Sequence, residues 1–419
     1  MQNKTVKKIF MTLLLAAGLS ITADTSMAAT FDLRADKVTI AMPDGTVIPA
    51  WGFADDVAGA GTGTVMVPGP QLTVPPGDTI LTINLTNNLP VPVSMNIPGQ
   101  PYPTGAAPTY VNDGKGNRVM SFANQVAANG GTATITYTNI RPGTFLYESG
   151  TNPAMEIPMG LYGALVVRPT TTGQAYEFNP PYNVDSTYAG EAVILLSEID
   201  PRFNAYVDVN STTIDAVNKI NYSINYAPTY FLINGKAYPQ TTDISSSVGQ
   251  RTLLRLLNAS ARNTMPTFQG SAITVIAEDG YLLNYPRHEF APSLTAGKTL
   301  DIISAPTTTG YRAFYDRRLG MSNAGVFPGG MLTFTGDLNC SPLKGDVNGD
   351  GKITAVDALT VLRAFVAGTT NTLPVNAYGS VADVGPLDLT SGLPCGNNGV
   401  IDLDDVLKLL QKATGFNPY

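Results

Sequence analysis

Hydrophobic and polar residues alternate along most of the chain between positions 30 and 336. Residues 81–87 and 133–138 place apolar and polar side chains at alternate positions, whereas residues 165–167 form a short apolar run. A period of two is typical of strands that bury one face, and a short apolar run bounded by turns is typical of a strand buried on both. This region shows no helical period. The pattern therefore predicts a mainly β protein built from sandwiches.

The strand pattern is interrupted between residues 170 and 188, where proline and polar residues dominate. A second series of strands begins with the apolar run at residues 192–196. Clusters of turn-forming residues between periodic segments mark loops and linkers. We therefore predict one β domain over residues 30–169 and another over residues 188–337.

The pattern changes after residue 337, where two segments with a helical period each follow an Asp-rich loop. Apolar residues spaced three and four apart indicate one face of a helix. The two predicted apolar faces contain Leu359, Leu362, Phe365 and Val366, and Val406, Leu407, Leu410 and Ala413. These segments predict a separate two-helix module over residues 344–419.

The first 28 residues have the organisation of a signal peptide. Lys4, Lys7 and Lys8 precede the apolar run at residues 9–19, and Ser26 and Ala28 are small residues around a cleavage position. The alternative is a membrane anchor, but the run is shorter than the ~20 residues that span a bilayer. No later stretch is apolar enough to span one. We therefore expect a secreted protein that is extracellular, at the cell surface or in the periplasm.

Charge narrows the possible partners. The formal net charge is -7, whereas nucleic-acid binding requires a basic surface. With 14% charged and 43% hydrophobic residues, the chain has a globular composition. We therefore expect no nucleic-acid partner, and an acidic chain is compatible with calcium.

The strongest motif is a loop with oxygen ligands at the spacing of a calcium site. Such a loop uses positions 1, 3, 5, 7 and 12, with a glycine at position 6 that permits a sharp turn. Gly351 occupies that position. The predicted ligands are Asp346, Asn348, Asp350, the carbonyl of Lys352, and Asp357.

A second, degenerate copy follows. Asp383 resembles position 1, and an insertion separates it from residues 398–405, which match the later positions. If the insertion loops out, the ligands of a second calcium site are Asp383, Asn398, the carbonyl of Val400, Asp402 and Asp405. One calcium ion is expected, with a second if this register holds.

The paired loops and helices, with Asp rather than Glu at position 12, resemble the type I dockerin module over residues 344–419. This resemblance implies two EF-hand-like calcium loops that order a helix pair, whose exposed faces dock onto a cohesin domain. Recognition residues of that family lie near loop positions 10 and 11, which are Ala355, Val356, Leu403 and Asp404 here. The usual polar pair is absent. We therefore predict an unidentified protein partner, or docking onto the chain's own β domains.

Both cysteines belong to this module. Cys340 precedes the first loop and Cys395 lies in the insertion of the second. In an exported protein two cysteines predict a disulfide, and the alternative is two free thiols.

The β region resembles the multicopper oxidase family. The similar segments are residues 68–70, 77–78, 87–89, 143–147 and 160–165 in the first predicted domain, and 232–235, 255–258 and 276–280 in the second. The resemblance implies two cupredoxin-like Greek-key β-sandwiches.

The copper ligands of that family are missing. Where it has two His-X-His stretches, this chain has Asn96 and Pro98, and Glu148 and Gly150. A blue copper site requires two histidines and a cysteine. The chain has a single histidine, His288, and no cysteine in either predicted sandwich. We therefore expect no copper and a non-enzymatic structural or binding protein.

The sequence leaves three alternative functions open. The chain could be a divergent oxidoreductase of the multicopper oxidase type. Met155 and Met159 lie near the former copper position, and thioethers can bind Cu(I), although methionine more often packs in a core. Glu148 and Glu156 could form a carboxylate pair for acid–base chemistry.

Overall fold

The computed structural model describes residues 28–57, 61–112, 114–177, 184–212, 226–307, 312–336, 345, 347, 354–370, 375–376, 379–380, 401 and 403–413. The predicted signal peptide lies outside these residues except for Ala28, and so do Cys340 and Cys395. Their disulfide therefore stays a prediction.

The first part of the chain forms nine strands, β1 (Ala28–Ala41), β2 (Val47–Asp55), β3 (Leu72–Val74), β4 (Ile80–Asn87), β5 (Thr109–Asn112), β6 (Asn117–Ser121), β7 (Gly131–Thr138), β8 (Gly143–Glu148) and β9 (Tyr162–Val167). One sheet has the order β2-β1-β4-β7, another has the order β3-β9-β8, and β5 and β6 pair as a hairpin. Strand β1 runs parallel to β4 and antiparallel to β2. Side chains from both main sheets contribute to one hydrophobic core.

The second part forms ten strands, β10 (Gly190–Ile199), β11 (Tyr230–Ile233), β12 (Ile244–Ser245), β13 (Thr252–Asn258), β14 (Pro266–Phe268), β15 (Ile273–Glu278), β16 (Tyr281–Glu289), β17 (Thr299–Ser304), β18 (Arg312–Asp316) and β19 (Leu332–Gly336). They form a six-stranded sheet, β11-β10-β13-β17-β15-β16, and a four-stranded sheet, β12-β19-β18-β14. Both sheets contribute to a second core. The mainly β fold class is therefore confirmed. The exact domain limits stay a prediction.

Strand β4 shows how the sequence pattern determines burial. Its residues alternate between partly exposed and buried along the whole strand, as the period-two pattern predicts. It ends at Asn87, whose side-chain amide donates to the carbonyls of Val91 (2.8 Å), Val126 (3.2 Å) and Ala127 (3.0 Å). Asn258 ends β13 in a similar way, donating to the carbonyls of Arg262 and Leu294. One buried asparagine therefore fixes the turn after a central strand in each sandwich.

Among the described residues of the β region, two helices are present where the sequence pattern predicted none. Helix α1 (Pro153–Met159) is short and contains two prolines, so its period is not visible. Helix α2 (Pro201–Asn210) begins after Asp200, whose carboxylate accepts a hydrogen bond from the Arg202 amide at 3.1 Å. An N-capping Asp followed by Pro is a recognised helix start, and this signal could have identified α2.

Tyr147 on β8 is enclosed by two glycines. Its hydroxyl donates to the carbonyl of Pro70 at 2.6 Å, and the residue is fully buried. A Cβ atom built on Gly69 or Gly163 would collide with the Tyr147 side chain. The absence of a side chain at both positions is therefore what allows the tyrosine to pass between them.

The C-terminal module contains helices α3 (Ala355–Val366) and α4 (Leu403–Ala413), with the short strands β20 (Val375–Asn376) and β21 (Gly379–Ser380) between them. The helices bury a common core of Val347, Ala358, Val361, Ala364, Val406 and Leu409, with Leu362 and Ile401 partly buried against it. Most of the predicted apolar faces are instead exposed. Leu359, Phe365, Val366, Leu407 and Leu410 are all at least 36% exposed, whereas α3 packs through Ala358, Val361 and Ala364.

No helix among the described residues is both long and apolar enough to cross a membrane.

Candidate functional site: the junction of the two sandwiches

A buried ionic cluster joins the two sandwiches. Arg255 on β13 is completely buried, and its guanidinium contacts Glu191 on β10 (2.5 Å) and Asp301 on β17 (3.4 Å). From the first sandwich, the hydroxyl of Thr144 accepts from Arg255 at 2.8 Å and donates to Asp301 at 2.6 Å. Arg168 donates to Glu191 from the end of β9. These contacts cross the junction and hold the two sandwiches together.

The electrostatics of this cluster keep its groups charged. Burial alone would raise the pKa of Glu191, but hydrogen bonds and positive charge from Arg168 and Arg255 outweigh it and hold that pKa below its usual value. Burial also opposes the charged form of Arg255 and by itself would lower its pKa. The nearby charges of Asp301 and Glu191 outweigh this effect and raise the pKa of Arg255 overall. Opposite charges close together favour the ionised forms of both partners.

The structure brings together three of the four positions at which the family resemblance predicts vacated copper ligands, namely Asn96, Glu148 and Gly150. Asn96 and Glu148 exchange two backbone hydrogen bonds at 2.8 and 2.9 Å. A Cβ atom built at Gly150 would lie 3.0 Å from the Ser94 hydroxyl and 3.2 Å from the Cβ of Asn96. There is therefore little room for a larger side chain at position 150. Pro98, in contrast, lines a separate cavity of about 270 Å³.

Hydroxyl groups fill the space beside these positions. Ser121 bonds to Ser94 at 3.0 Å and to Thr151 at 2.9 Å, and the Ser149 hydroxyl accepts from the Ser94 amide at 3.3 Å. All four side chains are buried. The network ends at Glu156 on α1, which accepts a hydrogen bond from Ser149. Polar groups that are buried here are thus largely paired with one another.

Burial dominates the electrostatics of Glu156, the acid at the end of this network. It is 1% exposed, and one of its carboxyl oxygens has no hydrogen-bond partner among the described residues. Burial raises the pKa of Glu156 well above its usual value and outweighs the hydrogen bond from Ser149. Because no cation compensates a charge here, the protonated form is favoured.

These residues do not fit copper. His288 lies on β16 in the second sandwich, exposed, with its Nδ1 3.0 Å from the Thr274 hydroxyl. Met155 and Met159 are at most 3% exposed and pack in the first core. The described part of the chain contains no group of three His, Cys, Asp or Glu residues able to hold a metal ion. The imidazole and thiolate donors that copper prefers are therefore not assembled at the former copper positions.

A cleft of about 470 Å³ opens beside the hydroxyl network. Glu148 and Glu198 both line it, one from each sandwich. Burial raises the pKa of Glu148 to about 7, although Asn96 donates to it. Burial also raises the pKa of Glu198 to about 7, partly offset by the charge of Arg262 and other groups. The pair with shared access to a cavity is therefore Glu148 and Glu198, and not Glu148 and Glu156 as the sequence suggested.

Of the predicted calcium ligands, only Asp357 and Asp405 lie within the described residues, and both are buried. Asp357 accepts hydrogen bonds from the amides of Val347 and Thr354, each at 2.8 Å, and thereby links Val347 to the start of α3. The other predicted ligands, Asp346, Asn348, Asp350, Lys352, Asp383, Asn398, Val400 and Asp402, lie outside the described residues.

Comparison with known proteins agrees with both halves of this architecture. Residues 60–172 match the family model of the multicopper oxidases, and residues 344–385 match that of the dockerin type I domain. The chain combines a multicopper-oxidase-like region with a dockerin type I region. No curated protein sequence matches the chain.

Solved structures resemble a larger part of the chain than the family model matches. A blue copper oxidase from Nitrosomonas europaea is 20% identical with a TM-score of 0.58, covering 74% of this chain and 86% of its own. A copper nitrite reductase from the same organism is 18% identical with a TM-score of 0.53, covering 75% and 95%. A laccase from Botrytis aclada is 19% identical with a TM-score of 0.52, covering 75% and 53%. The β region of this chain thus has a cupredoxin-like fold.

These comparisons overturn the prediction that the chain is not an enzyme. The matched family and the similar structures include oxidases, a laccase and a nitrite reductase, which are enzymes. The inference from missing ligands was too broad for a physical reason. The absence of histidine at four positions argues only against copper binding at those positions. It says nothing about acids and bases elsewhere on the scaffold.

Sequence reasoning missed several residues of the junction. It singled out neither Glu198, nor Arg255 with its partners, nor the serines around Glu156. Arg255 carried a signal, because it is a charged residue between two pairs of leucines in a strand of seven buried residues. A charge in such a position requires a buried partner.

Proposed function

We propose that this protein is secreted and that its dockerin type I region attaches a cupredoxin-like body to a protein partner in a calcium-dependent manner. The partner class that the dockerin resemblance favours is a cohesin domain. The body comprises the two predicted domains at residues 30–169 and 188–337, and the signal peptide at residues 1–28 directs export.

The observation that carries this proposal is the connection between the first calcium loop and helix α3. Both oxygens of Asp357 accept backbone hydrogen bonds, and the Thr354 hydroxyl in turn accepts from the Val356 amide at 3.2 Å. This reciprocal capping box defines the start of α3. A cation in the loop would hold Asp357 in place, and the helix would be ordered with it.

The exposed side of the two helices supports a protein partner. Leu359, Phe365 and Val366 on α3 and Leu407 on α4 are exposed although they are apolar. Such residues on a small two-helix module mark an interaction surface. Burying them against a partner is favourable by about 25 cal/mol per Å² of apolar area.

Calcium dependence is tested on the full-length protein by titrating calcium into chelator-treated samples with calorimetry. One or two bound ions are expected. Asp346→Ala and Asp357→Ala should each abolish the tighter event, whereas Asp208→Ala, which removes a partly exposed acid of α2 that pairs with Lys37, should leave it unchanged. Failure of the wild-type protein to bind calcium would overturn the proposal.

Attachment is tested by measuring binding of the full-length protein to an immobilised type I cohesin domain. We expect binding in calcium and its loss in chelator. Leu359→Asp should weaken binding at least tenfold, whereas Val209→Asp, at an exposed apolar position on α2, should not. If chelation has no effect on binding, or if cohesin does not bind at all, the proposed mode of attachment is wrong.

We further propose that the cupredoxin-like body holds no copper at its former ligand positions. The residues there are an amide, a carboxylic acid and a glycine, with a proline in a different cavity. Refolding in excess Cu²⁺, followed by desalting and metal analysis, should leave calcium but no stoichiometric copper. Stoichiometric copper that is lost in Glu148→Gln would contradict this part of the proposal.

A further inference from the structure

The hairpin of strands β5 and β6 turns one side toward solvent. Side chains alternate between the two faces of a strand pair, so residues directly opposite each other share a face. Tyr110 lies opposite Val119. Two positions further along, Asn112 lies opposite Asn117 and donates to its side-chain carbonyl at 3.3 Å. All four side chains are exposed, whereas Ser121, on the other face, is buried. The side that carries these four residues is the outer face of the hairpin.

Two further aromatic residues extend the outer face beyond the base of the hairpin. Phe122 comes directly after Ser121, and the Thr109–Ser121 pair separates it from Tyr110. The hydroxyl of Tyr102 donates to the carbonyl of Phe122, which holds the Tyr102 side chain beside it. These three aromatic residues are 49–60% exposed. At about 3.3 Å per residue, the outer face extends roughly 16 Å along β6.

Backbone hydrogen bonds fix the base of the hairpin to the first sandwich. The amide of Phe122 donates to the carbonyl of Gly150, and the amide of Asn152 donates to the carbonyl of Met120, both at 2.9 Å. The hydroxyl of Ser121 is part of the buried hydroxyl network described above. The aromatic side chains are therefore mounted on an ordered backbone. A ligand that binds them loses less free energy to ordering than it would on a mobile loop.

The chemistry of the outer face matches a neutral ligand that is rich in hydroxyl groups. The only charged residue within β5 and β6 is Arg118, which pairs with Val111 on the opposite face. The face of an aromatic ring is electron-rich and attracts weakly polarised C–H groups. The amides of Asn112 and Asn117 offer both donors and acceptors. Sugars present both features, because a sugar ring has C–H groups on its faces and hydroxyl groups around its edge.

The area of the outer face favours an extended chain over a folded protein partner. A fully buried aromatic side chain covers 150–250 Å², so three half-exposed ones offer roughly 300 Å². A stable protein interface covers about 800 Å² on each partner. The outer face is therefore too small to hold a folded protein, whereas a few consecutive sugar rings would cover it.

We propose that the outer face of the β5–β6 hairpin binds a neutral, extended polysaccharide. Tyr110, Phe122 and Tyr102 stack against the C–H faces of successive sugar rings. Asn112 and Asn117 exchange hydrogen bonds with hydroxyl groups at the edge of the chain. This activity is additional to calcium-dependent attachment and uses no residue of the C-terminal module.

Cellohexaose is the probe, because its β-linked glucose units form an extended, uncharged chain whose hydroxyl groups are all equatorial. Binding to the full-length protein is measured by calorimetry and by saturation-transfer NMR. Maltohexaose is the control, since it contains the same units in a curved, α-linked chain. We expect saturable binding of cellohexaose and at least tenfold weaker binding of maltohexaose. Equal binding of the two would contradict recognition of an extended chain. Cellohexaose binding should persist in chelator, which distinguishes this site from the attachment module.

Substitutions on the hairpin locate the binding site. Tyr110→Ala and Phe122→Ala should each weaken cellohexaose binding at least tenfold. Tyr110→Phe keeps the aromatic ring and should retain binding within about twofold of the wild-type protein. Tyr206→Ala, which removes a 48% exposed tyrosine from α2, should have no effect. Thermal unfolding verifies that each variant is folded.

Two results would overturn the proposal. One is the absence of saturable cellohexaose binding, or binding that both alanine variants of the hairpin leave unchanged. The other is self-association of the full-length protein, detected by light scattering, that Tyr110→Ala abolishes. That result would assign the outer face to a contact between protein chains.

Discussion

The junction between the two sandwiches contains two groups of buried or partly buried acids with opposite electrostatics. In the ionic cluster, Glu191 and Asp301 contact Arg255, and the pKa of Glu191 is lowered. In the cleft, Glu148 and Glu198 have no such contact, and their pKa values are raised to about 7. Both groups lie where strands of one sandwich meet those of the other. The difference shows that burial does not itself determine the charge of an acid, because a hydrogen-bonded cation reverses its effect.

The largest expected effect comes from removing the cation of the ionic cluster. Arg255→Ala leaves the buried Asp301 without its cation and leaves the partly buried Glu191 with Arg168 alone, and removing one partner of a buried ion pair is strongly destabilising. The free energy of unfolding, measured by denaturant titration, should fall by about 3–5 kcal/mol.

Arg287→Ala is the matched control for that experiment, because Arg287 also pairs with two acids, Glu278 and Glu289, but is 44% exposed. Exposed pairs contribute at most about 1 kcal/mol. Equal losses in the two variants would mean that the ionic cluster is no more important than a surface pair.

Substituting an acid of the cleft should increase stability, in contrast to the loss expected for Arg255→Ala. A carboxyl whose pKa is raised from 4.5 to about 7 by folding stabilises the protein below pH 4.5, and this contribution is lost as the pH rises to about 7. Glu198→Gln removes the free-energy cost of ionising this carboxyl in the folded protein. At pH 8 the variant should be more stable than the wild-type protein by at most about 3 kcal/mol, and near pH 4.5 the difference should disappear. Thermal unfolding across this pH range measures it.

Glu191→Gln provides the comparison within the same junction. Because the pKa of Glu191 is lowered by folding, its contribution to stability is present above pH 4.5 and is lost as the pH falls below that value. The glutamine variant should therefore be less stable than the wild-type protein at pH 8. Gains in both glutamine variants at pH 8 would refute the distinction between the two groups of acids.

The smallest expected effect concerns a single neutral hydrogen bond across the junction. The hydroxyl of Thr299 donates to the Thr144 carbonyl at 2.8 Å. Thr299→Val keeps the shape but removes this donor, so we expect a loss of about 1 kcal/mol, without pH dependence between pH 5 and 8. Denaturant titration at both pH values measures it. A pH-dependent loss would indicate that the hydroxyl acts through the charges of the cluster.

The sequence predicted the β architecture and the helical module because their signals are local. The alternation in β4 and the loop spacing before α3 each depend on residues close together in the chain. The period of α3 grouped Leu359, Leu362, Phe365 and Val366 on one apolar face but did not reveal which side of the helix packs. The packing side is formed by Ala358, Val361 and Ala364, with Leu362 partly buried against it.

The candidate site was harder to predict because it depends on contacts between distant positions. Glu148 and Glu198 are fifty residues apart in the chain and line the same cleft only because two sandwiches meet. Glu156 is closer to Glu148 in sequence, yet it lies in the hydroxyl network. Proximity in sequence therefore selected the wrong partner. The sequence shows that residues 96, 98, 148 and 150 are not histidines. It does not show that Ser94, Ser121, Ser149 and Thr151 form a hydroxyl network beside them.

Tyr147 and its two flanking glycines form a unit that must change together during evolution. Because a Cβ atom at Gly69 or Gly163 would collide with the tyrosine, any side chain at either position requires a smaller residue at 147. The reverse substitution is restricted as well, because a smaller residue at 147 would leave a void that a side chain at 69 or 163 could fill. An alignment of close homologues should therefore show covariation among these three positions. A substitution at only one of these three positions should be rare.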